Sequence, residues 1–272
     1  MASMTKAHRA IDKLAELPPL RNIVSRRYDR QFENNRGQNL FRGVFSTFNA
    51  AASSAPSTRP TGYDNADAAA MYVERSKKIY PTDYPMMFWL QKLFAAACST
   101  CADLGGHIGV SYYAYQQYLS YPANLRWTVY DVPAVMERGR QLAAEKDSEG
   151  FLRFDDDFRH VSGVDILIAQ GSLQYLPDTL ADRLQTLSVM PKHVLLNMTP
   201  LHEKVSYFTL QSIGTAFCPY RITALFDFIE SIQALGYSMV DHWDNPDKHC
   251  EIPFQANHSL DGYHGFYFRY DR

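Results

Sequence analysis

The chain has 272 residues, 46% of them hydrophobic and 21% charged, and a formal net charge of -2. These values fit one soluble, enzyme-sized domain with additions and exclude a disordered chain or a broadly basic nucleic-acid surface. No apolar run approaches the ~18–20 residues of a membrane-spanning helix. The first 30 residues also lack an apolar signal core, so the expected compartment is the cytoplasm.

From the N-terminus, residues 7–17 and 20–32 read as helices separated by Pro18-Pro19. Residues 1–45 carry nine Lys/Arg against four Asp/Glu, a local balance of +5. A solvated helical cap is the first expectation for this arm, and contact with a partner or an anionic surface is the second. Residues 50–61 are loop-like. Phe88 to Cys98 and Tyr112 to Leu119 read as helices, and between them lies Asp103-Leu104-Gly105-Gly106-His107-Ile108-Gly109.

A Gly-rich loop that opens a helix points backbone N–H groups and a positive dipole end at a ligand. The dinucleotide pattern Gly-x-Gly-x-x-Gly fails here, because Leu104 stands where its first glycine is required. Asp103, Gly105 and Gly109 instead match the acidic-x-Gly-x-Gly-x-Gly pattern of S-adenosylmethionine (SAM) methyltransferases. His107 replaces the middle glycine of that pattern, and the extra glycine is Gly106.

Downstream, Trp127 to Tyr130 reads as a strand followed by Asp131, 26 residues after Gly105. At that place in a doubly wound fold a carboxylate accepts hydrogen bonds from ribose. A helix over Val132 to Ala144 and a strand over Phe151 to Phe154 follow, closed by Asp155-Asp156-Asp157. Val164 to Ala169 is almost continuously apolar, as a strand buried on both faces must be, and it runs into Gln170-Gly171-Ser172. A helix over Pro177 to Leu187, a strand over His193 to Asn197 and a longer helix over Ile222 to Leu235 complete the alternation. The last two strands, Tyr237 to Trp243 and Tyr263 to Tyr270, are expected to pair as an antiparallel hairpin at a sheet edge. Strands alternating with helices predict an α/β fold.

This succession resembles a bacterial family of class I SAM-dependent methyltransferases. The motifs that carry the resemblance are Asp-Leu-Gly-Gly-x-x-Gly at 103–109, Gln-Gly-Ser-Leu-Gln-Tyr-Leu at 170–176, Asn-Met-Thr-Pro-Leu at 197–201, Cys-Pro-Tyr at 218–220 and Tyr-His-Gly-Phe-Tyr-Phe at 263–268. Phe41 to Phe45 and Gly62-Tyr63-Asp64 belong to it as well, and together the motifs span residues 38 to 270. The resemblance implies a Rossmann-like fold with a mostly parallel seven-stranded sheet, an antiparallel edge strand and an N-terminal helical extension. The expected division is an extension over 1–80 and a methyltransferase-like domain over 81–272.

It also implies SAM as cofactor. Gly105, Gly106, His107 and Gly109 would then meet its methionine end, and Asp103 would orient the loop and accept from the ammonium, directly or through water. Asp131 and Val132 would lie at the ribose, Asp155 or Asp156 near the adenine amino group, and Gln170, Gly171 and Ser172 at the end of the fourth strand. Methyl transfer needs an aligned, deprotonated nucleophile, and an oxygen nucleophile usually wants a base. The candidates are His202, Glu203 and His107, with Tyr207 behind them. The expected activity is methyl transfer to a small-molecule or saccharide-like acceptor. The alternative is a methyltransferase-like binding or assembly protein that does no catalysis.

No metal site is expected. Cys98-Ser-Thr-Cys101 lacks a matching second pair of ligands, so buried free thiols are the better reading. His242, His249, His258 and His264 lie among Asp241, Asp244 and Asp247, but they match no helical ligand spacing and read as a polar loop over the substrate entrance.

Overall fold

The computed structural model describes residues 18–64 and 74–271. The predicted helix over 7–17, and with it part of the basic arm, lies outside the described residues. Helix α1, Pro18–Glu33, begins at the Pro-Pro pair, where a missing N–H costs a helix nothing. The chain turns at Asn35, whose Oδ1 accepts from the amides of Gly37 and Gln38 and whose Nδ2 donates to the Ser212 carbonyl at 3.0 Å. Strand β1, Leu40–Phe45, and helix α2, Phe48–Ser53, follow, the latter capped by the Thr47 hydroxyl.

Helix α3, Tyr84–Ala95, buries Met86, Leu90, Leu93 and Phe94. Then come β2, Thr100–Leu104; α4, Val110–Gln116; β3, Arg126–Tyr130; α5, Pro133–Lys146; β4, Leu152–Asp155; and β5, Ile166–Gln170. Helix α6, Leu180–Gln185, opens with a reciprocal capping box between Thr179 and Asp182. The chain continues through β6, His193–Thr199; β7, Leu201–His202; β8, Tyr207–Ser212; β9, Phe217–Ala224; α7, Leu225–Gln233; β10, Tyr237–Asn245; and β11, Tyr263–Tyr270. Among the described residues, no helix is long and apolar enough to cross a membrane.

Seven strands form the main sheet in the order β10-β11-β6-β5-β2-β3-β4. From β6 to β4 all neighbours are parallel, and β11 runs antiparallel to both β6 and β10. One face packs on α3, α4 and α5 through Met86, Leu90, Tyr112, Tyr115, Trp127 and Ile168. The other packs on α6 and α7 through Leu184, Ile232, Leu167, Leu196 and Phe268. The central strands β5 and β6 are buried almost throughout, as the apolar run of β5 and the Val194–Leu196 run of β6 require.

Two sequence expectations need correction. The predicted helix over Ile222–Leu235 is strand to Ala224 and helix only from Leu225. The apolar pattern of 222–235 runs across both elements, but Tyr220 and Ile222 pair with Thr209 and Tyr207 of β8, which fixes the extended backbone. The short strands β1, β7, β8 and β9 were not expected. They make a second sheet in the order β1-β8-β9-β7, in which residues near the N-terminus pair with residues after β6.

Gly265 faces Trp243 across the β10–β11 ladder, and a Cβ there would stand 2.1 Å from the indole Nε1. That nitrogen donates to Asn197 Oδ1 at 3.0 Å, which fixes the ring over the glycine. Gly265→Ala must displace the indole and break this bond. A loss of about 1–3 kcal/mol is expected in chemical denaturation.

Candidate functional site

In an open α/β sheet the chain winds outward in both directions from one point, and the loops diverging there leave a crevice at the carboxyl ends of the strands. Here the divergence falls between β2 and β5: the chain proceeds from β2 to β3 and β4 on one side, then crosses back to β5 and β6 on the other. The two loops at this switch point are 103–109 and 170–172, the two segments that sequence reasoning singled out.

Each glycine of the first loop has a packing reason. Gly105 has φ +73°, and a Cβ on it would lie 2.2 Å from Ser172 Cβ. The β2 loop thereby abuts the β5 loop, and the Ser172 hydroxyl donates to the Leu104 carbonyl at 2.5 Å. Gly106 lies against the Asp103 carboxylate, 2.5 Å from where its Cβ would stand, and Gly109 against Leu152. His107 adopts φ +57°, a left-handed conformation uncommon for a non-glycine residue, and is 7% exposed.

Asp131 holds that strained backbone. Its Oδ2 accepts from the His107 amide at 2.9 Å and its Oδ1 from the Val132 amide at 2.7 Å. Each oxygen keeps a further lone pair, and the residue as a whole is half-buried. Burial raises its pKa to about 6 against the lowering effect of the two amides, and the nearby charge of Asp64 adds to the rise. Asp64 in turn accepts from the Ala134 amide at the start of α5, so residues 61–64 reach across the site.

Asp103 lies beneath the loop, 1% exposed. Trp127 Nε1 donates to its Oδ2 at 3.0 Å, while its Oδ1 is buried and accepts no hydrogen bond. Burial raises this carboxyl to about 7, opposed by the Trp127 bond and reinforced by the charge of Asp131.

Gln170 at the end of β5 belongs to a buried polar cluster that the sequence did not disclose. Asp83 Oδ1 accepts from Gln170 Nε2 at 2.5 Å and from the Tyr115 hydroxyl at 3.1 Å, and Arg75 stands 3.6 Å away. Asp83 directly precedes the apolar run of α3, where it looks like an ordinary helix-start residue. Asn197, at the same edge of the sheet, donates to the Thr82 carbonyl and accepts from Trp243 and Asn245. Above Gly171 and Ser172, Tyr175 meets Tyr63 edge-on at 4.8 Å and donates to Gln211.

The remaining predicted residues fall elsewhere. Asp155 ends β4, with its Oδ2 2.7 Å from His160 Nδ1, and Asp156 is exposed beside it. The crossover from β4 to β5 contains one short 3-10 turn, Phe158–Val161, in place of a helix. A groove of about 360 Å³ is left open there, lined by Thr128, Tyr130, Arg153, Asp155 and His160 among others. His202 is in β7, away from the glycine loop in sequence and in sheet. Its Nδ1 accepts from the amides of Lys204 and Val205, and its Nε2 donates to the Asn257 carbonyl at 2.9 Å. Both ring nitrogens are thereby committed to holding a turn. Glu203 is exposed in that turn. Cys98 and Cys101 are buried free thiols, and burial raises both.

Numbered within the main sheet alone, the strands run 3-2-1-4-5-7-6, with the seventh reversed. This is the class I methyltransferase fold. No family model matches the sequence, and no curated protein matches it. Among solved structures the chain is similar to 1,6-didemethyltoxoflavin-N1-methyltransferase from Burkholderia thailandensis, with bound 1,6-didemethyltoxoflavin and S-adenosylhomocysteine. The identity is 14%, the TM-score 0.46, and the match covers 76% of this chain and 83% of that one. It is also similar to an S-adenosylmethionine-dependent methyltransferase from Clostridium acetobutylicum, at 9% identity and a TM-score of 0.44, covering 73% of this chain and 95% of the other. The assignment of the fold rests on the strand order of this chain's own sheet.

The Asp103 carboxyl yields a stability prediction. With a folded-state pKa near 7 and an unfolded value near ~4, the folded protein holds a proton that the unfolded chain has released. The stability this group contributes is present below the unfolded value and is lost as pH rises through 7. Asparagine keeps an acceptor for Trp127 and carries no charge. Asp103→Asn is therefore expected to raise the melting temperature of the ligand-free protein by a margin that grows from pH 5 to pH 8. A margin independent of pH would show that burial does not penalise this carboxylate.

Proposed function

We propose that the chain is a SAM-dependent methyltransferase acting on a small-molecule or saccharide-like acceptor. The observation that carries this reading is the Asp103–Asp131 pair at the switch point. One carboxylate has a buried oxygen without a hydrogen-bond donor, and the other has spare lone pairs above a tight loop. The methionine ammonium matches the first by charge. Adjacent ribose hydroxyls match the second by donor count. Gly105, Gly106 and Gly109 bring backbone close to this ligand, and Val132, Gln170, Gly171 and Ser172 flank it. Asp155 or Asp156 is assigned to the adenine amino group.

The bound sulfonium supplies an activated methyl group. The protein's part is to orient the acceptor in line with it and to exclude water. The residues over 61–64 and the cluster around Asp83 roof the carboxyl end of β5 and serve that exclusion. Tyr63 and Tyr175 offer ring faces and hydroxyl tips of the kind a polyhydroxylated or ring-shaped acceptor would meet. Of the three base candidates, His107 alone stands on the switch-point loop. Glu203 would need the turn after β7 to approach, and His202 would first have to give up the bonds that hold that turn.

Calorimetric titration with S-adenosylhomocysteine, with NAD as the parallel control, tests the reading. Binding of the first and none of the second is expected. Asp131→Ala removes acceptors for two hydroxyls and is expected to weaken binding by about 10–100-fold. A wild-type chain that fails to bind S-adenosylhomocysteine, or an Asp131→Ala variant that binds it unchanged, removes the basis for the assignment.

A further inference from the structure

The histidines and acids near the C-terminus, expected to form a polar loop, are in part strand residues. His242 and Asp244 are two apart on β10, so their side chains share one face of the sheet. Asp244 is the ladder partner of His264 on β11, which places the third side chain beside the other two. The spacing is that of a strand ligand pair, i and i+2, and a search for helical i, i+4 pairs passes over it.

The three donor atoms converge. His242 Nε2 lies 3.0 Å from His264 Nδ1, His264 Nδ1 lies 3.2 Å from Asp244 Oδ1, and His242 Nε2 lies 3.7 Å from the same oxygen. Ligands bound at ~2.0–2.1 Å to a tetrahedral or octahedral cation stand about 2.8–3.4 Å apart. Two of the separations fall in that range and the third exceeds it by about 0.3 Å. The His242 ring is held by stacking on Phe266, at 4.7 Å between centroids and 16° between planes. The backbone that carries all three residues is paired on both sides of β11, since His264 also registers with Thr199 of β6.

We propose that His242, Asp244 and His264 form a binding site for one divalent transition-metal ion. Two imidazoles and a carboxylate suit zinc best among common ions, and the same set accepts cobalt or nickel. Three ligands from one edge of the sheet leave coordination positions open. His242 and Asp244 are exposed, so water or an anionic group from solvent fills those positions. The site lies at the carboxyl end of the sheet, separated from the β2–β5 switch point by β6 and β5, or about 10–15 Å at the usual strand spacing. It is thus distinct from the proposed cofactor site, and its ion would clasp the β10–β11 pair. The inference stands whether or not the chain transfers methyl groups.

The test uses the full chain without an affinity tag, freed of metal by chelator. Titration with Co²⁺ followed by visible absorption, and with Zn²⁺ followed by calorimetry, is expected to show one ion per chain and a raised melting temperature. Asp244→Asn and His264→Gln keep the size of each side chain and are each expected to weaken binding at least about tenfold. A Cys98→Ser/Cys101→Ser variant is expected to bind as wild type does. Uptake that is equal in wild type and in the Asp244→Asn/His264→Gln double variant, with both folded by circular dichroism, overturns the proposal. So does loss of uptake in the cysteine variant alone.

Discussion

The carboxyl edge of the main sheet is organised by the contact between Gly105 and Ser172. It sets the Gly105 backbone against the Ser172 side chain, across two loops that part company at the switch point, and it exists because residue 105 has no side chain. With the loops this close, the β2 loop must turn sharply before α4 begins. That turn forces His107 into a left-handed conformation and directs its amide to Asp131. Strain of this kind persists only where its surroundings over-determine it. Here the surroundings are the Asp131 carboxylate, the Asp103–Trp127 pair below and the Leu152 side chain against Gly109. The geometry suited to a charged, hydroxyl-bearing ligand and the packing of the loop therefore have the same origin.

Two carboxyls whose pKa values are raised by burial stand within this small volume. Burial opposes the ionisation of both, the charge of Asp131 adds to the rise at Asp103, and carboxyls raised in this way weaken the fold at neutral pH. A ligand carrying an ammonium group reverses that penalty, so binding would be coupled to stability and to proton release. Asp103, raised by burial, differs in this from the ion-paired acids on the surface, such as Asp157, which Arg159 holds low.

The sequence disclosed those features whose cause is local. The apolar run of β5, the glycine loop and the acid after β3 can each be read from neighbouring residues, and they locate the switch point. The second sheet was hidden because its strands are stabilised from afar: Arg42 registers with Leu210, and the polar pattern of Thr209, Gln211 and Ser212 gives no sign of burial, although all three are buried. The cluster of Asp83, Tyr115 and Gln170 was hidden for the same reason, as its members come from three elements that meet only in the folded chain. His202 shows the converse case. Its place after a strand suggested chemistry, and its neighbours Lys204, Val205 and Asn257 give both ring nitrogens a structural task.

The pairing of β1 with β8 joins residues 40–45 to residues 207–212. Closing a loop of that length carries an entropic penalty that the completed ladder must offset. Until β1 arrives, β8 presents an unpaired edge beside β9, a surface open to strand exchange with another copy of the chain. The N-terminal strand thus acts as an intramolecular seal, and a truncated chain lacking it would be prone to self-association through β8.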